Sequence, residues 1–107
     1  MSSNYTLGDT ARLALQVTEN SIPIPYISNP KVNKIILPDK SIDSNFPQSM
    51  ELTDSEFSVF TLDYKPSRVG DYIVIFTFQL DGVTYSSMEQ FTVSLGYSAV
   101  LPKAVAR

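Results

Sequence analysis

The span from Phe57 to Val93 constrains this chain more than any other part of it. Tyr72, Val74, Phe76, Phe78 and Leu80 recur at every second position, with Ile73, Ile75, Thr77 and Gln79 between them. A repeat of two belongs to a strand, because successive side chains of extended backbone point to opposite faces. Burying the five large side chains of the first set contributes about 10 kcal/mol as an upper bound, which predicts a central strand. Asp81-Gly82 follows directly. That pair suits a two-residue hairpin turn with positive φ at both positions. The return strand starts at Val83 and Tyr85 and resumes its alternation at Phe91, Val93 and Leu95, with a bulge expected at Ser86-Ser87-Met88. Upstream, Phe57 to Tyr64 reads as a strand with Phe60, Leu62 and Tyr64 inward and Thr61 and Asp63 outward. Pro66 ends it, since proline cannot donate to a ladder.

The rest of the chain follows the same period. Asn4 to Leu7 is a short strand candidate, and Gly8-Asp9 a break. Ala11, Leu13, Leu15 and Val17 alternate with Arg12, Ala14, Gln16 and Thr18, as a half-buried strand does. Glu19 to Pro30 reads as loop, because Pro23, Pro25 and Pro30 each lack a backbone donor. Val32 to Leu37 is a strand closed by Pro38-Asp39. Ser41 to Ser49 reads as irregular, Met50 to Leu52 as a short strand and Thr53-Asp54-Ser55 as a turn. No stretch carries helical periodicity. About seven or eight short strands with Pro and Gly punctuation predict an all-β fold, a β-sandwich of antiparallel strands. The division expected is a sandwich over residues 1–96 and a C-terminal tail or docking arm over 97–107. At 107 residues the chain has the size of one domain.

The residue inventory restricts the chemistry. With no His and no Cys, the commonest general base, the thiolate nucleophile and the usual zinc ligands are missing. A Ser-His-Asp triad is impossible, and no glycine-rich phosphate loop occurs. No enzymatic activity, no metal, no cofactor and no small-molecule substrate are expected. The carboxylates Asp39, Asp43, Glu51, Asp54 and Glu56 lack the dense spacing of a calcium loop and read as solvated surface. Eleven acids against eight scattered bases give a net charge of -3, which argues against nucleic acid. The longest apolar run, Tyr72 to Phe76, falls far short of a membrane span, and the N-terminus has no signal-peptide pattern.

Val69-Gly70-Asp71-Tyr72-Ile73-Val74 resembles the tyrosine corner of immunoglobulin-like domains, in which a Tyr hydroxyl bonds back to the backbone just upstream. Gly70 and Tyr72 are the structural corner residues this implies. Antibody domains place a Cys two residues after that Tyr; here it is Val74, and no Trp exists for the core. The resemblance is therefore to disulfide-free, fibronectin type III-like relatives. A longer series, Gly8-Asp9-Thr10, Leu37-Pro38-Asp39, Leu62-Asp63-Tyr64-Lys65-Pro66, Gly70-Asp71-Tyr72 and Phe91-Thr92-Val93, is similar to small immunoglobulin-like structural proteins of tailed bacteriophages. That resemblance implies a virion component assembled in the host cytoplasm. It would decorate the capsid or stabilise a neck or tail joint, with other virion proteins as partners and several copies of itself in the particle.

Two segments are candidate partner contacts. Ile22, Ile24, Tyr26 and Ile27 are unusually apolar for a loop: they either cover the core or meet a partner. Tyr97, Val100, Leu101 and Val105 lie beyond the expected end of the sandwich and either fold back on their own sheet or dock on a neighbouring subunit, with Pro102 limiting any strand pairing. The alternative function is an adhesion module that binds carbohydrate or a host receptor, for which Tyr5, Tyr26, Tyr85 and Tyr97 are the candidate aromatics.

Overall fold

Residues 2–95 are described in a computed structural model, and the candidate contacts Tyr97, Val100, Leu101 and Val105 lie outside them, as does the proposed boundary at residue 96. The described chain is all β. Its strands are β1 (Ser2–Thr6), β2 (Ala11–Leu15), β3 (Thr18–Glu19), β4 (Ile22–Pro23), β5 (Ser28–Ile36), β6 (Gln48–Ser49), β7 (Glu51–Asp54), β8 (Val59–Tyr64), β9 (Gly70–Leu80) and β10 (Val83–Ser94). Three of these, β3, β4 and β6, are two-residue pieces. One sheet has the order β1-β10-β9-β5-β6 and the other β2-β8-β7, while β3 and β4 form a separate ribbon. The chain crosses between the two sheets four times, from β1 to β2, from β2 to β5, from β6 to β7 and from β8 to β9. Two sheets divided in this way are consistent with a β-sandwich.

The central hairpin follows from its sequence. Asp81 (φ 53°) and Gly82 (φ 80°) form the turn, and β9 and β10 pair without interruption from Leu80↔Val83 to Gly70↔Val93. The bulge expected at Ser86-Ser87-Met88 is therefore absent; an unshifted ladder runs through all three. Tyr72, Val74, Phe76 and Phe78 are buried, and Phe91 and Val93 join them from β10. The opposing sheet supplies Ala11, Leu13, Leu15 and Phe60. Tyr72 stacks on Phe91 with ring centroids 4.8 Å apart, and Tyr64 meets both rings edge-on.

Gly70 and Tyr72 form a closed corner. The Tyr72 hydroxyl donates to the Arg68 carbonyl at 2.8 Å and accepts from the Arg68 N–H at 3.3 Å. Gly70 has φ +130°, and a Cβ built on it would lie 2.6 Å from the Pro38 Cβ. Glycine is thus required twice over, by backbone conformation and by the proline packed on it. Nearby, the Tyr64 hydroxyl donates to Asp43 at 2.9 Å. Partial burial and that bond push the Tyr64 phenol above its ordinary range.

Several expectations need correction. β1 pairs parallel to β10, so the sandwich is not wholly antiparallel. The chain breaks at Gly8, where Asp9 closes a tight turn through the Thr6 backbone, and changes sheets before β2. Residues 19–30 are not all loop. Thr18–Pro23 forms the β3–β4 ribbon, and β5 begins at Ser28. Pro30 is tolerated because the register against β9 shifts between Ser28 and Lys31, with Asn29 at φ 50°, so its missing N–H falls in an irregularity. Gln48–Ser49 pairs with β5, β7 runs on to Asp54 and the turn comes after it. Thr61, expected outward, is buried because it lies on the middle strand between Ala14 and Glu51.

Candidate functional site

The two sheets differ in reach. β9 and β10 have 11 and 12 residues, whereas β2 and β8 have 5 and 6. At about 3.3 Å per residue the hairpin outruns the smaller sheet by roughly 16 to 23 Å. The inner face near its tip lacks a full second layer from β2 and β8. The β3–β4 ribbon partly fills that place. Asn20 (φ 53°) and Ser21 (φ 67°) make its two-residue turn, and the Ile24 N–H bonds to the Val17 carbonyl at 2.8 Å to close its base. Asn supports left-handed backbone. Asn20-Ser21 was thus the available sequence signal for this ribbon, weaker than an Asn-Gly pair.

Between ribbon and hairpin lies an open groove of about 270 Å³, lined by Val17, Ile24, Phe78, Leu80 and Tyr85 with Glu19 on its rim. Phe78 and Tyr85 stack there at 5.6 Å. The other side of the ribbon presents Ile22, Pro23, Pro25 and Tyr26 around a second hollow. Ile22 is 67% exposed and Tyr26 62%, and Val83 and Tyr85 are about half exposed on the hairpin. This end of the sandwich therefore groups apolar and aromatic side chains from three strands and a loop.

The structure divides the predicted contact loop. Ile22 and Tyr26 stand at the surface, but Ile24 and Ile27 are only 5% and 8% exposed and belong to the core. The assignment of Ile24 and Ile27 as partner contacts is corrected accordingly. The chain turns inward after the ribbon, so these two side chains close the end of the sandwich. Tyr85 and Val83 complete the surface instead. Their alternation was visible in the sequence, but the missing cover opposite them was not. Of the other candidate aromatics, Tyr5 packs edge-on against Phe91.

Three of the loop carboxylates, Asp39, Asp43 and Asp54, have structural tasks. Asp39 accepts the Ser41 N–H and hydroxyl, which together with Arg68 hold its carboxyl below the usual range. Asp43 accepts from the Asn45 N–H and from Tyr64, and Asp54 from the Glu56 and Phe57 N–H groups. Asp63 faces Arg12 across β2 and β8 at 3.0 Å, and the guanidinium lowers its pKa. Among the described residues no group of three or more acidic side chains converges as a metal site, and no helix is long and apolar enough to cross a membrane. Comparison with known protein families, with curated proteins and with solved structures returned no match.

Proposed function

We propose that this chain is a non-enzymatic structural protein of a tailed-bacteriophage particle, binding other virion proteins through the apolar end of its sandwich. The motif series from Gly8-Asp9-Thr10 to Phe91-Thr92-Val93 supplies the phage setting. The observation that carries the binding role is that two exposed apolar groups lie at one end of the sandwich, Ile22 and Tyr26 by the ribbon and Val83 and Tyr85 on the hairpin, all at least 45% exposed. Aromatic and aliphatic side chains grouped in this way fit the centre of a protein interface. Many copies on one lattice would raise the effective strength of a modest contact. The segment 97–107 is a further candidate arm within this reading.

The test is compositional. Particles of the encoding phage, purified and quantified by mass spectrometry, should contain the chain at a copy number fixed relative to the major structural proteins. Replacing Ile22, Tyr26 and Tyr85 together by Ala should strip it from the particle while leaving its circular dichroism unchanged. Particles without the chain would defeat the proposal. The exposed pair Tyr26 and Tyr85, flanking the same ribbon, favours the second reading of a carbohydrate- or receptor-binding adhesion module. Binding to a glycan array that is lost with these two tyrosines would establish it instead.

A further inference from the structure

One edge of the larger sheet is left open. β10 spans Val83–Ser94, but β1 covers it only from Gln90 to Ser94. Val83 to Glu89 has β9 on one side and, among the described residues, no strand on the other. The two-residue turn makes Leu80↔Val83 a hydrogen-bonded pair, so the odd-numbered residues of β10 bond to β9. The even-numbered ones point the other way, as the bond from the Leu7 N–H to the Ser94 carbonyl demonstrates. Thr84, Ser86 and Met88 therefore present their N–H and C=O groups outward.

Among the described residues this is the longest uncharged edge; the outer side of β1, likewise uncharged, has five residues. β6 has two residues, β2 carries Arg12 and β7 carries Glu51 and Asp54. Charge and shortness are the usual protections against strand addition. The β10 edge is long, unbulged and uncharged from Val83 to Met88.

We propose that this edge pairs with the same edge of a second copy, antiparallel, about a two-fold axis at Ser86. The open window is centred on Ser86, so the symmetry maps Val83–Glu89 onto itself. Ser86 then pairs with Ser86 of the other copy, and Thr84 with Met88. Each of these three pairs exchanges two backbone bonds, and every outward group finds a partner. Glu89, the window's one charge, falls opposite Val83 and not opposite another acid. Tyr85 falls opposite Ser87 and diagonal to Tyr85 of the second copy, within aromatic reach. Beyond the window, each hairpin tip arrives where β1 begins to cover Gln90, so the free length matches the pairing length. The result is one continuous sheet across a closed dimer, the commonest symmetric assembly. This inference is independent of the phage assignment.

Sedimentation of the full chain over a wide concentration range tests it. A monomer–dimer equilibrium is expected. Ser86→Pro removes an outward N–H that no bond among the described residues uses and should raise the dimer dissociation constant about tenfold or more. Ser86→Lys should weaken it similarly, with recovery in high salt. In the unaltered protein, amide exchange at Thr84, Ser86 and Met88 should slow as concentration rises, a readout that needs no variant. A chain that stays monomeric throughout, a dimer unchanged by both substitutions, or exchange at these amides that is independent of concentration each overturns the proposal.

Discussion

Gly70→Ala is the sharpest test of how the corner is built. The substitution adds one methyl group at a position with φ +130°, 2.6 Å from the Pro38 Cβ and 2.9 Å from its Cγ. Carbon atoms in contact prefer about 3.5 to 4.0 Å, so the overlap is roughly 1 Å. Two costs add. Holding a residue with a Cβ in this region of backbone space costs on the order of 1–3 kcal/mol. Forcing a methyl into a packed contact costs a further 1–3 kcal/mol or so. The sum is about 2–6 kcal/mol, a large fraction of the roughly 5–15 kcal/mol typical of a domain. Urea unfolding followed by circular dichroism should show the midpoint falling with little change in slope. The two costs separate in a double-mutant cycle. Pro38→Gly removes the Cβ and Cγ that clash, leaving the Pro38 Cα position at an ordinary 3.9 Å. The steric part should then vanish, giving a coupling of about 1–3 kcal/mol, while the backbone part remains. A Gly70→Ala protein within about 0.5 kcal/mol of the parent, or a cycle with no coupling, would refute the argument.

The other predictions rest on equally local geometry. Tyr72→Phe keeps the stack on Phe91 but leaves the Arg68 carbonyl and N–H without their shared partner, so it should destabilise by about 1 kcal/mol or more; an unchanged unfolding midpoint would show that the hydroxyl contributes nothing. Ile24→Ala should cost about 2–4 kcal/mol, while Ile22→Ala, at a surface position, should stay within about 0.5 kcal/mol. Equal effects at the two positions would contradict the division of this loop. The Tyr64 phenol titrates higher in the folded chain than its ordinary value of about 10, so its contribution is complete below that pH and is lost as pH rises through the folded value. Stability should fall above pH about 10, less steeply in Tyr64→Phe; parallel alkaline slopes would rule out this linkage.

Strand periodicity was legible because it depends on the local chain alone. The face shared by Tyr72, Val74, Phe76 and Phe78, the turn at Asp81-Gly82 and the corner at Gly70 all came from spacing and backbone preference. What failed depended on neighbours far away in sequence. Pro30 lies within β5 only because the register against β9 shifts beside it. Thr61 is buried by residues on two other strands, and Ile24 and Ile27 by the way the chain turns under the sandwich. An apolar loop has one composition whether it closes a core or greets a partner, and only the path of the backbone decides between them.

The apolar end and the open edge have a common origin in unequal strand lengths. A sandwich whose sheets matched in length would cover Val83 and Tyr85 with a second layer. Here β9 and β10 continue well past β2 and β8. The same excess carries β10 seven residues beyond the last residue covered by β1. Lengthening the hairpin thus exposes side chains on the inner face and backbone groups along the rim in one step. Alternating apolar residues anchor the extension, since Phe78 is buried and Leu80 packs against the core. A loop of the same length would present similar side chains but would lose conformational entropy on binding. The extended hairpin meets that ordering cost during folding, so the proposed contacts would need little further ordering.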